Sequence, residues 1–199
     1  MSTKPSRKEV THERIVESAA RALRRHGYQG VGVAEVMKDV GLTHGGFYAH
    51  FDSRDAMLAE AIERAGRESA SLVRQDMNGR MAKGASPFRA LVEAYLSELH
   101  LKAVDGGCPI AALASEMHRQ SEVLREASCE RVRGFVKVVQ QVLPPNVAAD
   151  NAAVIASTLI GALQLARALG DNKSGKAILK NSRQALLDQY EPSSTDTSH

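Results

Sequence analysis

Tryptophan is absent from this sequence, and aromatic residues fill only 4% of its 199 positions. β-Branched runs are few, whereas alanine and leucine are abundant. That balance points to an all-α fold packed with small and aliphatic side chains. Cysteine occurs twice, as Cys108 and Cys129, too few for a disulfide framework. The opening MSTKPSRKEV has no apolar run and does not resemble a signal peptide. The most apolar stretch, AAVIASTLIGALQLA at 152–166, is shorter than the roughly 18 residues of a membrane span. It also carries Ser157, Thr158 and Gln164, so it reads as a buried helix rather than a membrane segment. The cytoplasm is the expected compartment. No metal-ligand cluster is present, and no cofactor is expected.

What is there begins with charge. The net formal charge is +3, and residues 1–51 hold all of it, with eight Lys or Arg against five Asp or Glu. The rest of the chain carries eighteen of each sign. The same first quarter holds His12, His26, His44 and His50. A basic excess confined to one small region suits an anionic partner, and nucleic acid is the first candidate.

Residues 1–10 read as a flexible basic arm with Lys4, Arg7 and Lys8. Thr11 opens an amphipathic helix on which Ile15, Ala19, Ala22 and Leu23 recur at helical spacing, and Gly27 caps its end. A short helix over 33–40 follows, broken by Gly41. Thr43 is placed to cap the next helix with its hydroxyl. A long helix starts near an Asp52 N-cap, and 78–87 reads as a loop after it. Further helices are expected over 87–102, 109–119, 122–143, 148–169 and 174–190, divided by DGGCP, LPPN and GDNKSG.

The stretch GLTHGGFYAHF at 41–51 is unusual, because each interior glycine costs a helix roughly 1 kcal/mol relative to alanine. A helix that lies in the major groove needs its backbone close to DNA, and glycine allows that approach. Phe47 and Phe51, four apart, would anchor such a helix to the first two. Tyr48, His44 and the Gly45 backbone would then face outward. The competing reading of spacing alone is a packed three-helix domain whose glycines only permit close packing.

Residues 27–58 resemble the N-terminal region of the TetR family of bacterial transcriptional regulators. The pattern runs through Gly27-Tyr28, Gly41, Thr43, Gly45, Phe47-Tyr48, His50-Phe51, Arg54 and Leu58. The resemblance implies a homodimer that presents one helix-turn-helix per subunit to a near-palindromic operator in double-stranded DNA. Carried across by position, Thr43, His44, Gly45, Tyr48 and His50 are DNA-contacting, Gly46 is a tolerated small residue, and Arg54 touches a phosphate. The chain departs from the family ahead of the turn. Thr or Ser is usual near Val31 and Gly32, and a basic residue is often found at Ala34, so Lys38 or the N-terminal arm would have to supply phosphate contacts.

The resemblance also implies the organisation: an N-terminal three-helix DNA-binding domain over 11–52, joined by a long helix to a helical ligand-binding and dimerisation domain over 53–190, with a disordered tail over 191–199. The last two helices would form the dimer, with Val154, Leu159, Ile160 and Leu163 at its interface. A small-molecule effector would lie among Tyr95, Leu99, Cys108, Ile110, Leu113, Met117 and Phe135. Pro109 suits a first helical turn, which places Cys108 at a helix N-terminus, where a thiolate is favoured. Cys108 is therefore a candidate redox or electrophile sensor as well as a plain apolar residue. The function expected is a ligand-responsive regulator, most simply a repressor. A helical interaction protein without DNA binding is the alternative. An enzyme using Cys108 with His100 or His118 has no catalytic motif behind it.

Overall fold

A computed structural model describes residues 5–191, and every described element is helical. Lys4 of the expected arm and residues 192–199 of the expected tail lie outside the described residues. Helix α1 spans Arg7–His26 and starts four residues before Thr11. The reason is a capping box: Ser6 Oγ accepts from the Glu9 N–H at 3.2 Å, and Glu9 Oε2 accepts from the Ser6 N–H at 2.6 Å. Arg7 and Lys8 are therefore helical, which corrects the expectation of an arm reaching residue 10. Helix α2 spans Val33–Asp39, and a 3-10 helix at His44–Ala49 follows.

Helix α3, Arg54–Met81, is capped by Ser53 rather than Asp52, because Ser53 Oγ accepts from the Ala56 N–H at 3.1 Å. It runs on through residues read as loop, and the Asp76–Arg80 pair at 3.0 Å bridges the added turn. The helix expected over 87–102 is two helices, α4 at Pro87–Tyr95 and α5 at Glu98–Lys102. Ser97 divides them by capping α5, accepting from the His100 N–H at 3.1 Å. Helices α6 (Pro109–Met117), α7 (Glu122–Gln141), α8 (Asn151–Leu169) and α9 (Lys173–Tyr190) complete the chain.

Two compact units result, and their division does not follow the 11–52 and 53–190 boundary. The first takes in the chain up to Ser69 together with Asp105–Arg131, and the second takes in Ala70–Val104 and the residues from Val132 on. In the first, Ile15, Ala19 and Leu23 of α1 are fully buried with Met37 of α2 and Met57, Leu58 and Ile62 of α3. Each of these isoleucine, leucine and methionine side chains stabilises the fold by about 1.5–3 kcal/mol on burial. In the second, α8 packs along α9, with Ile155, Leu159, Leu163 and Ala166 fully buried. By length and composition α8 is apolar enough to cross a membrane, but this buried stripe is that of a core helix. Leu159 and Leu163, expected at a dimer interface, are thus core residues of their own chain, while Val154 is 56% exposed and Ile160 half-buried.

Candidate nucleic-acid interface

The turn at Gly41 leads the chain from α2 to the 3-10 helix, and the Leu42 N–H closes it on the Met37 carbonyl at 2.8 Å. Thr43 holds the N-cap position, yet its side chain makes no capping bond, which corrects the expected hydroxyl cap. Its side chain is exposed instead. The six residues His44–Ala49 form a 3-10 rather than an α-helix. Gly45 and Gly46 explain this, since two glycines in six residues leave little intrinsic α preference. Packing holds the element from behind. Phe47 is 1% exposed and stacks on Phe51 with ring centroids 5.5 Å apart.

The outward side carries the polar groups. Tyr48 is 69% exposed, held edge-on by Phe47 at 5.3 Å and flanked by the His44 ring at 6.4 Å. Thr43, His44 and Gly45 are exposed beside it, while Gly46 is half-buried. A Cβ at Gly45 would meet nothing within 4 Å, so no packing inside the protein requires glycine there. The open side leaves backbone approachable from outside. The packing-only reading of these glycines therefore loses its support at Gly45.

His50 is half-buried, and its Nδ1 is buried without a hydrogen-bond partner. Burial, then the neighbouring His12 and Lys8, push its pKa below the usual histidine value. His12 was not singled out by sequence spacing. It stacks on Phe51 at 4.5 Å and meets Glu60 Oε2 at 2.7 Å, tying α1 to α3 behind the reading surface.

Arg54 turns inward. Its Nε donates to the Val31 carbonyl at 3.0 Å, its Nη2 donates to the Tyr28 carbonyl, and its Nη1 lies 3.7 Å from Asp55. The guanidinium thus ties down the α1–α2 loop. Lys38 is exposed on α2 with no such tie. At the α2 N-terminus Gly32 offers no side-chain cap, Ala34 is exposed, and Glu35 is the charge nearby. Arg14 closes the other end of α2, donating to the Val40 carbonyl at 3.1 Å.

Of the family-pattern positions, Thr43, His44, Gly45 and Tyr48 are exposed around the buried Phe47 and Phe51, while His50 and Arg54 are half-buried. The sequence model of bacterial regulatory proteins of the tetR family matches residues 15–61, and that of the C-terminal domain of LmrA/YxaF-like transcriptional regulators matches 85–180. The chain belongs to the TetR family. It is a DNA-binding transcriptional regulator. It is 29% identical over 158 residues to the HTH-type transcriptional regulator LmrA of Bacillus subtilis, covering 77% of this chain and 81% of that one. An uncharacterized HTH-type regulator of Mycobacterium tuberculosis is 28% identical, covering 88% and 93%. The HTH-type transcriptional repressor NemR of Escherichia coli is 24% identical, covering 67% of each chain. The fold likewise matches a TetR regulator from Chloroflexus aurantiacus, with a TM-score of 0.70 at 22% identity over 92% of this chain and 96% of that one.

Of the expected lining residues, Cys108, Ile110, Leu113 and Met117 belong to the first unit, and Tyr95, Leu99 and Phe135 to the second. Tyr95 and Phe135 do meet, with rings 4.9 Å apart. Leu99 is 56% exposed, on the wall of a groove of about 590 Å³ with Leu72, Gln75, Asp76, Arg80 and Glu93. Cys108 holds the N-cap position of α6 but is only 4% exposed, and Cys129 is half-buried.

Proposed function

We propose that this regulator is a repressor that binds a near-palindromic operator as a homodimer and leaves it when a small-molecule effector binds. The observation that carries the reading is the division of labour in the 3-10 helix. Phe47 and Phe51 anchor it, and Thr43, His44, Gly45 and Tyr48 face out on one surface. The named relatives are HTH-type transcriptional regulators, and NemR is a repressor. Work in the cytoplasm follows from that role.

The dimer reading draws support from α8. Val154 and Leu165 are 56% and 59% exposed, and Leu169 follows on the same helical stripe with Gly161 between them. An apolar stripe beside small residues suits close helix packing in a two-fold interface. A non-covalent effector is favoured over thiol chemistry, because the buried Cys108 gives a reagent little access.

The experiment is selection of duplexes from a random pool, followed by footprinting and sedimentation. A symmetric footprint with half-sites one helical turn or a multiple apart, bound by a dimer, is the expected result. An asymmetric footprint bound by a monomer would sink the proposal. Thiol reagents should release DNA from neither the parent nor Cys108→Ser, and release from the parent alone would restore the sensing role.

A further inference from the structure

Tyr28 is completely buried, and three of its polar groups are held by three different helices. Its backbone N–H donates to Glu116 Oε2 on α6 at 3.1 Å. Its carbonyl accepts from Arg54 on α3. Its hydroxyl lies 2.9 Å from Ser128 Oγ on α7. Ser128 gives its own proton to the Leu124 carbonyl at 2.7 Å, so Tyr28 is the donor in that pair. One residue before Tyr28, Gly27 has φ of 72°, and a Cβ there would stand 2.6 Å from Glu116 Oε1. Bare backbone at Gly27 is what lets the carboxylate reach the Tyr28 amide. A second tie from the same segment joins Arg25 to Asp105.

These contacts converge on the short loop that delivers the chain into α2. Arg54 also holds the Val31 carbonyl at 3.0 Å, one residue before the α2 N-cap Gly32. Helix α2 in turn packs against the 3-10 helix. The position of Tyr28 therefore sets the start of α2, and α2 sets the reading helix. We propose that Glu116 is a positioning residue for DNA reading, acting through the Tyr28 amide on the α1–α2 loop. It touches no DNA itself, being an anion engaged with backbone 88 residues away in sequence. Residues 105–131 are on this account part of the reading module.

The test uses the full chain and a duplex that the parent protein enriches from a random pool. Glu116→Ala should weaken binding about tenfold, the cost of losing one charge-assisted hydrogen bond. Glu116→Gln should recover to within about threefold, because its amide oxygen still accepts from the Tyr28 N–H. The salt slope should stay that of the parent in both, since no phosphate contact is lost. Amide exchange at Tyr28 should quicken in Glu116→Ala and stay slow in Glu116→Gln. Should Glu116→Ala fail to fold, Glu116→Asp takes its place with the same expectation, as it keeps the charge but withdraws the oxygens. Parent affinity in a folded variant whose Tyr28 amide exchanges fast would overturn the proposal. So would a Glu116→Gln protein as weak as Glu116→Ala. A parent that enriches no duplex would overturn the DNA-reading role and this inference together.

Discussion

The reading helix and α8 distribute their work in opposite ways. The reading helix has six residues and one buried side chain, Phe47. Packing falls to that residue and its partner Phe51, and the exposed residues on the other side are the ones we propose meet DNA. Helix α8 has nineteen residues, seven of them buried alanines, leucines and an isoleucine, and its exposed side is again mostly aliphatic, with Ala153, Val154, Leu165 and Leu169. Where packing and contact use different chemistry, a sequence motif separates them. Where both use aliphatic side chains, helical spacing reports a stripe and not its destination.

The largest expected effect attacks that contrast at α8. Leu159→Ala should cost about 3 kcal/mol, as large-to-small changes in a closed core do. Val154→Ala, on the exposed side of the same helix, should stay within about 0.5 kcal/mol in the folded chain. Urea unfolding at several protein concentrations separates the two. Equal losses would mean that α8 has no distinct core and outer faces. A Val154 loss that appears only as concentration falls would instead place it in the dimer.

A polar group tests the same core. His100 is 1% exposed, and burial, opposed by its bond to the Tyr95 carbonyl and aided by Arg167, pushes its pKa down to about 4. The folded ring is therefore neutral through the range where the unfolded ring, near 6.5, takes up a proton. Stability must fall as pH drops below about 6.5, by about 2 kcal/mol at pH 5 from this residue alone. His100→Asn should flatten the loss by that amount between pH 7 and 5. An unchanged slope would show that His100 is solvated.

Much of the DNA-binding region was legible, and for physical reasons. Gly41, Gly45, Tyr48 and Phe51 each need a particular backbone or surface, so their spacing carries geometry. The hydroxyl of Thr43 misled, because it caps nothing, and the charge of Arg54 is ambiguous, because a guanidinium serves backbone and phosphate equally well. Arg54 found two carbonyls within the protein. The capping box at Ser6 and Glu9 was readable in principle but lay inside a stretch whose charge suggested an arm. His12 and Glu116 carried no signal, since their roles come from residues 48 and 88 positions away. The effector residues were the least legible, because apolar residues at helical spacing look alike whether they line a cavity or fill a core.

Tyr48→Ala sharpens the other side of the comparison. With 69% of the residue exposed, its removal should leave unfolding within about 0.5 kcal/mol of the parent. Affinity for a selected duplex should nonetheless fall about tenfold, equivalent to roughly 1.4 kcal/mol. Calorimetric melting beside anisotropy titration gives both quantities. Coupled loss of stability and affinity would mean that Tyr48 packs rather than reads.

The smallest effect separates two cations that sequence treats alike. Lys38 is exposed on α2, whereas the Arg54 guanidinium is bound to the Tyr28 and Val31 carbonyls. Neutralising a phosphate-contacting cation lowers the slope of log affinity against log salt by about one unit. Lys38→Gln should show that reduction with little change in melting. Arg54→Gln should keep the parent's slope while weakening binding at every salt concentration, because it loosens the loop ahead of α2 without removing a phosphate contact. If the slopes are reversed, the guanidinium leaves its carbonyl partners for a phosphate when DNA binds, and the loop must then be held by Glu116 and Ser128 alone.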